Sequence, residues 1–244
     1  MSLLPNWRSR VPASPTVDGA VSGLESLESQ LSKTSFSWEG EDVLAIKLFS
    51  DRIGQTGGCF VDIGAHHPLA LSNTYAFYKR GWRGLNIDAT PGSMEPFRKY
   101  RPEDINLEIG VGPRKERLQF TIFSDPALNG FVGESTVRAH EARGITVRRV
   151  VEIDCFPVNE VLHTHLDGRA VDLLNLDIEG KDLEVLRTLD FQTWRPKMII
   201  LEILGRKDLH DFLLSEEVVF LESVGYKPFS RLDYSSIFLD HPYV

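Results

Sequence analysis

Apolar and polar positions along this chain fall into short blocks whose period changes repeatedly. Between Asp42 and Ile53, the residues Val43, Leu44, Ile46, Leu48 and Phe49 recur among charges, a spacing that predicts an amphipathic helix running into Gly57-Gly58. Cys59-Phe-Val-Asp-Ile is an apolar run closed by Gly64 and reads as a strand. A helix is expected over 74–80, then a strand at Leu85-Asn-Ile-Asp and a helix over 92–100. Strands follow over 105–111, 118–123 and 146–153, and a helix over 158–165. Val171-Asp-Leu-Leu-Asn-Leu-Asp and 197–203 read as buried strands, with a helix over 182–189 between them. A helix over 211–224 and a hairpin of 226–232 with 235–239 close the pattern.

Apolar strands separated by helices predict an α/β fold, a doubly wound and mainly parallel sheet covered on both faces, with an antiparallel C-terminal hairpin. Two stretches depart from the alternation. Residues 1–37, rich in serine and carrying Pro5, Pro12 and Pro15, read as an extended arm ending in a short helix. Residues 113–150, with Gly130, Gly133 and Gly144, read as a loop-rich insertion into a domain spanning 38–244. Insertions of this kind shape acceptor pockets.

Composition narrows the function. A net charge of −8 removes the sequence-independent attraction for phosphate, so no nucleic-acid partner is expected. The basic stretch Arg143-Gly-Ile-Thr-Val-Arg148-Arg149 reads as a solvated strand edge. Cys59 and Cys155 stand far apart, without a Cys-x-x-Cys pair, which suits a reducing cytoplasm. The first residues lack a signal-peptide core, and the longest apolar run, 198–204, contains Glu202 and is too short to span a bilayer. A soluble, cytoplasmic protein with no membrane partner is the expectation.

In a doubly wound sheet, ligands bind beyond the carboxyl ends of the strands where strand order reverses. At the first such end stands Asp62-Ile-Gly64-Ala65-His66-His67-Pro68, in which Gly64 admits close approach of a ligand and Asp62 offers a carboxylate. No Gly-x-Gly-x-x-Gly occurs here, which argues against a dinucleotide and a nicotinamide-dependent oxidoreductase. Asp88 closes the second strand, placed to accept hydrogen bonds from ribose hydroxyls. A ribose-bearing ligand without a diphosphate is implied, and S-adenosylmethionine meets that description. As turn-formers, Asp62 and Asp88 would carry no ligand.

Val61-Asp-Ile-Gly-Ala-His-His-Pro, Ser72-Asn73-Thr74, Gly81-Trp-Arg-Gly-Leu-Asn-Ile-Asp88-Ala and Leu176-Asp177-Ile-Glu179-Gly180 together resemble the motif series of FkbM-type methyltransferases. The upstream Gly40-Glu-Asp42 is also similar, and the likeness runs in order over about 38–239. It implies a seven-stranded class I methyltransferase fold, S-adenosylmethionine as donor, and an oxygen acceptor on a sugar, macrolide or related small molecule. A nitrogen acceptor is the alternative within the fold. A non-catalytic nucleoside- or partner-binding module is a further one, opposed by intact Asp62, Gly64, Asp88 and Asp177.

Methyl transfer to a hydroxyl needs the acceptor aligned and its proton removed. Asp177 and Glu179, just past a core strand, and His67 are the catalytic candidates, although Glu179 could instead cap the following helix. Glu202 ends the next strand among apolar residues and requires a partner. An arginine or a backbone cap would serve; so would a divalent cation such as magnesium shared with Asp177, a layout similar to that of catechol-type methyltransferases. The cofactor-contacting candidates are Asp62, Gly64, Ala65, His66, Asn73, Asp88 and Glu108, with Asn73 assigned to the methionine carboxylate or its water. Trp82 and Arg83 read as structural. Residues 1–37, lying before every candidate, would cover the acceptor mouth or mediate assembly into a homo-oligomer.

Overall fold

The computed structural model describes residues 28–29 and 31–244. Residues 35–244 form one compact unit, and residues 1–34 are divided from it. Of residues 1–34 the described part is brief: Glu28 carbonyl accepts from both the backbone N–H and the hydroxyl of Ser32. Residues 1–27 and 30 of the expected N-terminal arm lie outside the described residues, whereas Ser35, Phe36 N–H and Ser37 donate to the Asp42 carboxylate. Among the described residues no helix is long and apolar enough to cross a membrane.

The main sheet is built from β1 (Cys59–Ile63), β2 (Arg83–Ile87), β3 (Ile105–Leu107), β7 (Leu173–Leu176), β8 (Met198–Glu202), β9 (Tyr226–Arg231) and β10 (Ser235–Asp240). Its order is β3-β2-β1-β7-β8-β10-β9, parallel except where β10 runs antiparallel to β8 and β9. This is the doubly wound layer that the apolar runs predict. Alternate residues of the strands enter different cores, because successive side chains of a strand point to opposite faces. Val61, Ile63, Leu174, Leu176, Ile199 and Leu201 join one cluster with Val158, Val161 and Leu162 of α5 (Val158–His165) and Val218 and Leu221 of α8 (Glu216–Ser223). Phe60, Leu173, Met198 and Ile200 join the other with Ala45 and Leu48 of α1 (Glu41–Leu48), Phe77 of α2 (Tyr75–Tyr78) and Trp82.

Register fixes the site. Ile63 pairs with both Ile87 and Leu176, and Leu176 with Leu201, so β1, β2, β7 and β8 end level. Gly64, Asp88, Asp177 and Glu202 are therefore the neighbouring residues at that edge. The strand order reverses between β1 and β7, the position at which a doubly wound sheet leaves a crevice.

Three elements differ from the pattern read in the sequence. The run over 105–111 is two strands: β3 stays in the main sheet, whereas β4 (Gly110–Gly112) joins a second sheet of order β4-β6-β5 with β5 (Glu116–Phe123) and β6 (Val147–Pro157). Its apolar alternation continues through the break, so the pattern carries no mark of it. The apolar run over 211–224 is likewise two helices, α7 (Leu209–Leu213) and α8, because Asp208 accepts from Asp211 N–H and Ser215 from Val218 N–H, each capping its own N-terminus. Within 113–150 the chain also forms α4 (Glu134–Glu141), whose His140 packs edge-on against Phe123. Helices α3 (Met94–Tyr100) and α6 (Asp182–Leu186) complete the set named here.

Candidate active site

A cleft of ≈ 840 Å³, open mouth included, lies over the level strand ends. Its floor is Asp62 to His66, Ile87 to Thr90 and Asp177 to Glu179, and its roof is Phe120, Asn129, Gly130 and Phe131 from the second sheet and its loops. Four of the lining residues are acidic, Asp62, Asp88, Asp177 and Glu179, and none is lysine or arginine.

The floor depends on Gly64. It sits at φ +85°, and a Cβ there would fall 1.6 Å from the carbonyl oxygen of Asp177. Only glycine lets the chain leave β1 this close to the end of β7. His66 follows, also at positive φ, and its N–H donates to Asp88 Oδ2 at 2.9 Å. Asp88 Oδ1 accepts from Thr90 N–H at 2.7 Å. Asp88 is thus buried, at 9% exposure, rather than standing free at a strand end, and it holds two turns while its remaining lone pairs border the cleft.

Asp62 is committed to the protein. It is fully buried, accepts from Thr74 Oγ1 at 2.5 Å and Asn175 Nδ2 at 2.8 Å, and burial raises its pKa against the pull of those bonds and of Arg101. Thr74 accepts from Arg101, itself buried and paired with Asp104 at 2.9 Å. The chain of bonds ends at the cleft, where Asn175 Oδ1 accepts from Asn73 Nδ2 at 2.9 Å. Because the Asp62 carboxylate can only accept, both amides are oriented by it, and the Asn73 Oδ1 atom is left buried without a partner. Asn73 thus keeps an unpartnered acceptor at Oδ1 and the second N–H of Nδ2, and it suits an ammonium as well as the carboxylate or water expected of it.

Asp177, Glu179 and Glu202 each bring a carboxyl oxygen within 4.8 Å of the others. Among the described residues Glu202 has no arginine partner; the Asp177 carboxyl stands beside it instead. Burial, then the charge of Asp177, pushes Glu202 up to about 10; burial and the neighbouring Asp182 push Glu179 to about 7; Asp177 is raised as well, chiefly by burial. Glu179 does not cap α6. No side chain caps that helix; Asp182, its first residue, accepts from Ile178 and Gly180 N–H at 3.0 and 3.1 Å in the turn before it, where Glu179 stands in the left-handed region at φ +57°. A set of hard carboxyl oxygens at this spacing is what a divalent cation takes.

Two expected site residues do not join this group. His67 Nδ1 accepts from Leu69 and Ala70 N–H at 3.2 and 3.0 Å, which puts the proton of the neutral ring on Nε2 and leaves no lone pair to act as a base. It does not line the cleft, whereas His66 and Ala65 do. Glu108 is exposed in the break between β3 and β4 and lies outside the lining; Ile109 and Gly110 line it instead. Thr90, Phe120, Asn129 and Phe131 were not candidates from the sequence. Only the third dimension brings the roof over the floor, through Asn129 Nδ2, which donates to Thr90 Oγ1 at 3.3 Å.

The raised acids make stability depend on pH. A carboxyl whose folded pKa exceeds its unfolded value contributes stability that is complete below the ordinary carboxyl range and is lost as pH rises through the folded value. Those values are about 6 for Asp182, about 7 for Glu179 and about 10 for Glu202. In metal-free buffer Tm is expected to fall as pH rises from about 5 to about 8, and Glu202→Gln to flatten that fall. A thermal-melt series with wild-type Tm constant or rising across this range contradicts the assignment.

A family model described as the methyltransferase FkbM domain matches residues 62–228, from the end of β1 to β9. No curated protein matches the chain.

Proposed function

Because the chain belongs to the FkbM methyltransferase family, we propose that it takes S-adenosylmethionine as methyl donor and methylates a hydroxyl oxygen of a small molecule. The observation that carries this reading is the cleft lined by carboxyls and by no lysine or arginine at the switch point of the sheet. A sulfonium and an ammonium are favoured there, and a diphosphate is repelled, which sets a nicotinamide-dependent reaction aside. The donor's ribose falls to the free lone pairs of Asp88 and its ammonium to the unpartnered Oδ1 of Asn73, while Gly64 leaves room for the chain to pass beneath.

When bound, S-adenosylmethionine supplies an electrophilic methyl group. This chain supplies alignment and a place for the hydroxyl proton. Asp177 borders the cleft and is raised in pKa by burial, which makes it a stronger base than an ordinary carboxylate once ionised. A base of this kind favours oxygen over nitrogen, since a neutral amine attacks through a free lone pair before losing its proton. Asp177, Glu179 and Glu202 would hold a divalent cation, whose chemistry would be to polarise the acceptor oxygen. Proline and glycine turns of the roof, Pro126 to Phe131, bound the acceptor side and give the substrate its shape limits.

Calorimetry with S-adenosylhomocysteine, S-adenosylmethionine and NAD tests the donor: the first two should bind and NAD should not. Asp88→Ala should weaken S-adenosylhomocysteine binding by roughly ten- to a hundredfold. It should also lower Tm, because His66 and Thr90 lose an acceptor. Undiminished affinity would take Asp88 out of the site.

A further inference from the structure

The second sheet has an open edge. Strand β6 pairs with β5 along most of its length, but on its other side β4 reaches only Cys155 to Pro157. Among the described residues no other strand or backbone hydrogen bond meets Arg148 to Glu152 on that side. The phase of the edge follows from Thr121, which pairs with Val150 yet exchanges both its main-chain bonds with Gly130, at 2.9 and 3.2 Å. In an antiparallel ladder such a pair is the non-bonded kind, so Val150 also turns its N–H and C=O away from β5, toward the open side. Val150 is 52% exposed, and Arg148 and Glu152, two residues to either side, are exposed too.

We propose that this edge is a two-fold interface between two copies of the chain, joined through antiparallel pairing of β6 about Val150. A strand laid against its own copy around that residue sets Val150 opposite Val150, Arg148 opposite Glu152 of the second copy, and Glu152 opposite its Arg148. Among the described residues Arg148 and Arg149 have no ion pair, and Glu152 meets Arg117 alone, at 3.9 Å. Charges on an edge strand ordinarily keep indiscriminate partners away. Here their order, positive, apolar, negative, makes this self-pairing attractive, with two Arg148–Glu152 pairs across the two-fold. Arg148 is the extra residue of a bulge, standing between the pairs of Arg149 with Ile122 and Val147 with Phe123. The paired segment about Val150 stops short of Cys155, where β4 begins to occupy the same edge. The inference is independent of the donor and acceptor assigned above.

Such a ribbon buries less than a standard interface, so the dimer should be weak, with Kd of about tens of micromolar. The test is sedimentation velocity on the full chain over about 1 to 200 µM, a range that brackets that Kd. Wild type should move from monomer to dimer. Arg148→Glu and Glu152→Arg, each with like charges opposed, should each weaken self-association about tenfold or more. An equimolar mixture of the two variants should recover it, because one then carries only acids and the other only arginines at the paired positions. Both lie away from the cleft, and unchanged S-adenosylhomocysteine binding and Tm would show that they fold. A wild type monomeric throughout, or a mixture that associates no better than its components, overturns the proposal.

Discussion

Gly64→Ala is expected to cost at least about 3 kcal/mol and to abolish binding of S-adenosylhomocysteine. Two effects add. The left-handed backbone at φ +85° disfavours any side chain, and the methyl would overlap the Asp177 carbonyl oxygen at 1.6 Å, a contact that no rotamer relieves because both partners are main chain. The ends of β1 and β7 would have to part, carrying with them the bond from Asp177 N–H to Ile63 carbonyl at 2.9 Å. For a domain of this size Tm should drop by roughly 6 °C or more. Gly133→Ala is the control: a Cβ there meets nothing within 4 Å and its φ is ordinary, so both Tm and affinity should hold. A Gly64→Ala protein with wild-type Tm and wild-type affinity would mean that the strand ends lie farther apart than described.

Asp177→Asn should have the largest effect on turnover, lowering kcat by about a hundredfold or more with little change in affinity for the donor product. The same substitution removes a charge from among Glu179, Glu202, Asp182 and Asp62, and should therefore raise Tm. Loss of activity with gain of stability separates a working carboxyl from a merely structural one, whose removal would lower both. Chelation divides the two chemical roles: if the carboxyls act by holding a cation, a chelator should silence the wild type, and if Asp177 takes the proton directly, turnover should be indifferent to it. Near-normal turnover by Asp177→Asn on an acceptor that the wild type methylates would sink both, leaving alignment alone as the source of rate.

The layered sheet was legible because its strands are apolar runs that stop at a glycine or an acid, as at Ile63-Gly64, Ile87-Asp88 and Leu176-Asp177. The closeness of Asp177 and Glu202 could be foreseen for the same reason, since each ends one of two neighbouring runs. Side-chain direction could not. His67 follows the same strand as His66, yet local turn geometry claims its ring, and nothing in the order of residues separates the two. Asp88 was recognisable as a strand-end acid, but its two backbone donors belong to turns whose path the sequence does not state. Least visible was the roof. Asn129, Gly130 and Phe131 reach the floor only because β5 folds back on β6, and that pairing links residues as distant as Glu116 and Cys155.

Glu116 and Gly110 both stand opposite Cys155, so the excursion from β4 to β6 begins and ends at one place on the molecule. An insertion whose two ends touch is a cassette: it can be lengthened, shortened or exchanged between relatives without moving the strands that form the floor of the cleft. The seam itself is narrow, for a Cβ on Gly110 would come within 2.5 Å of the Cys155 sulfur. A recombination that swaps the roof to change the acceptor should therefore cut outside this pair and inherit Gly110 and Cys155 from the same parent.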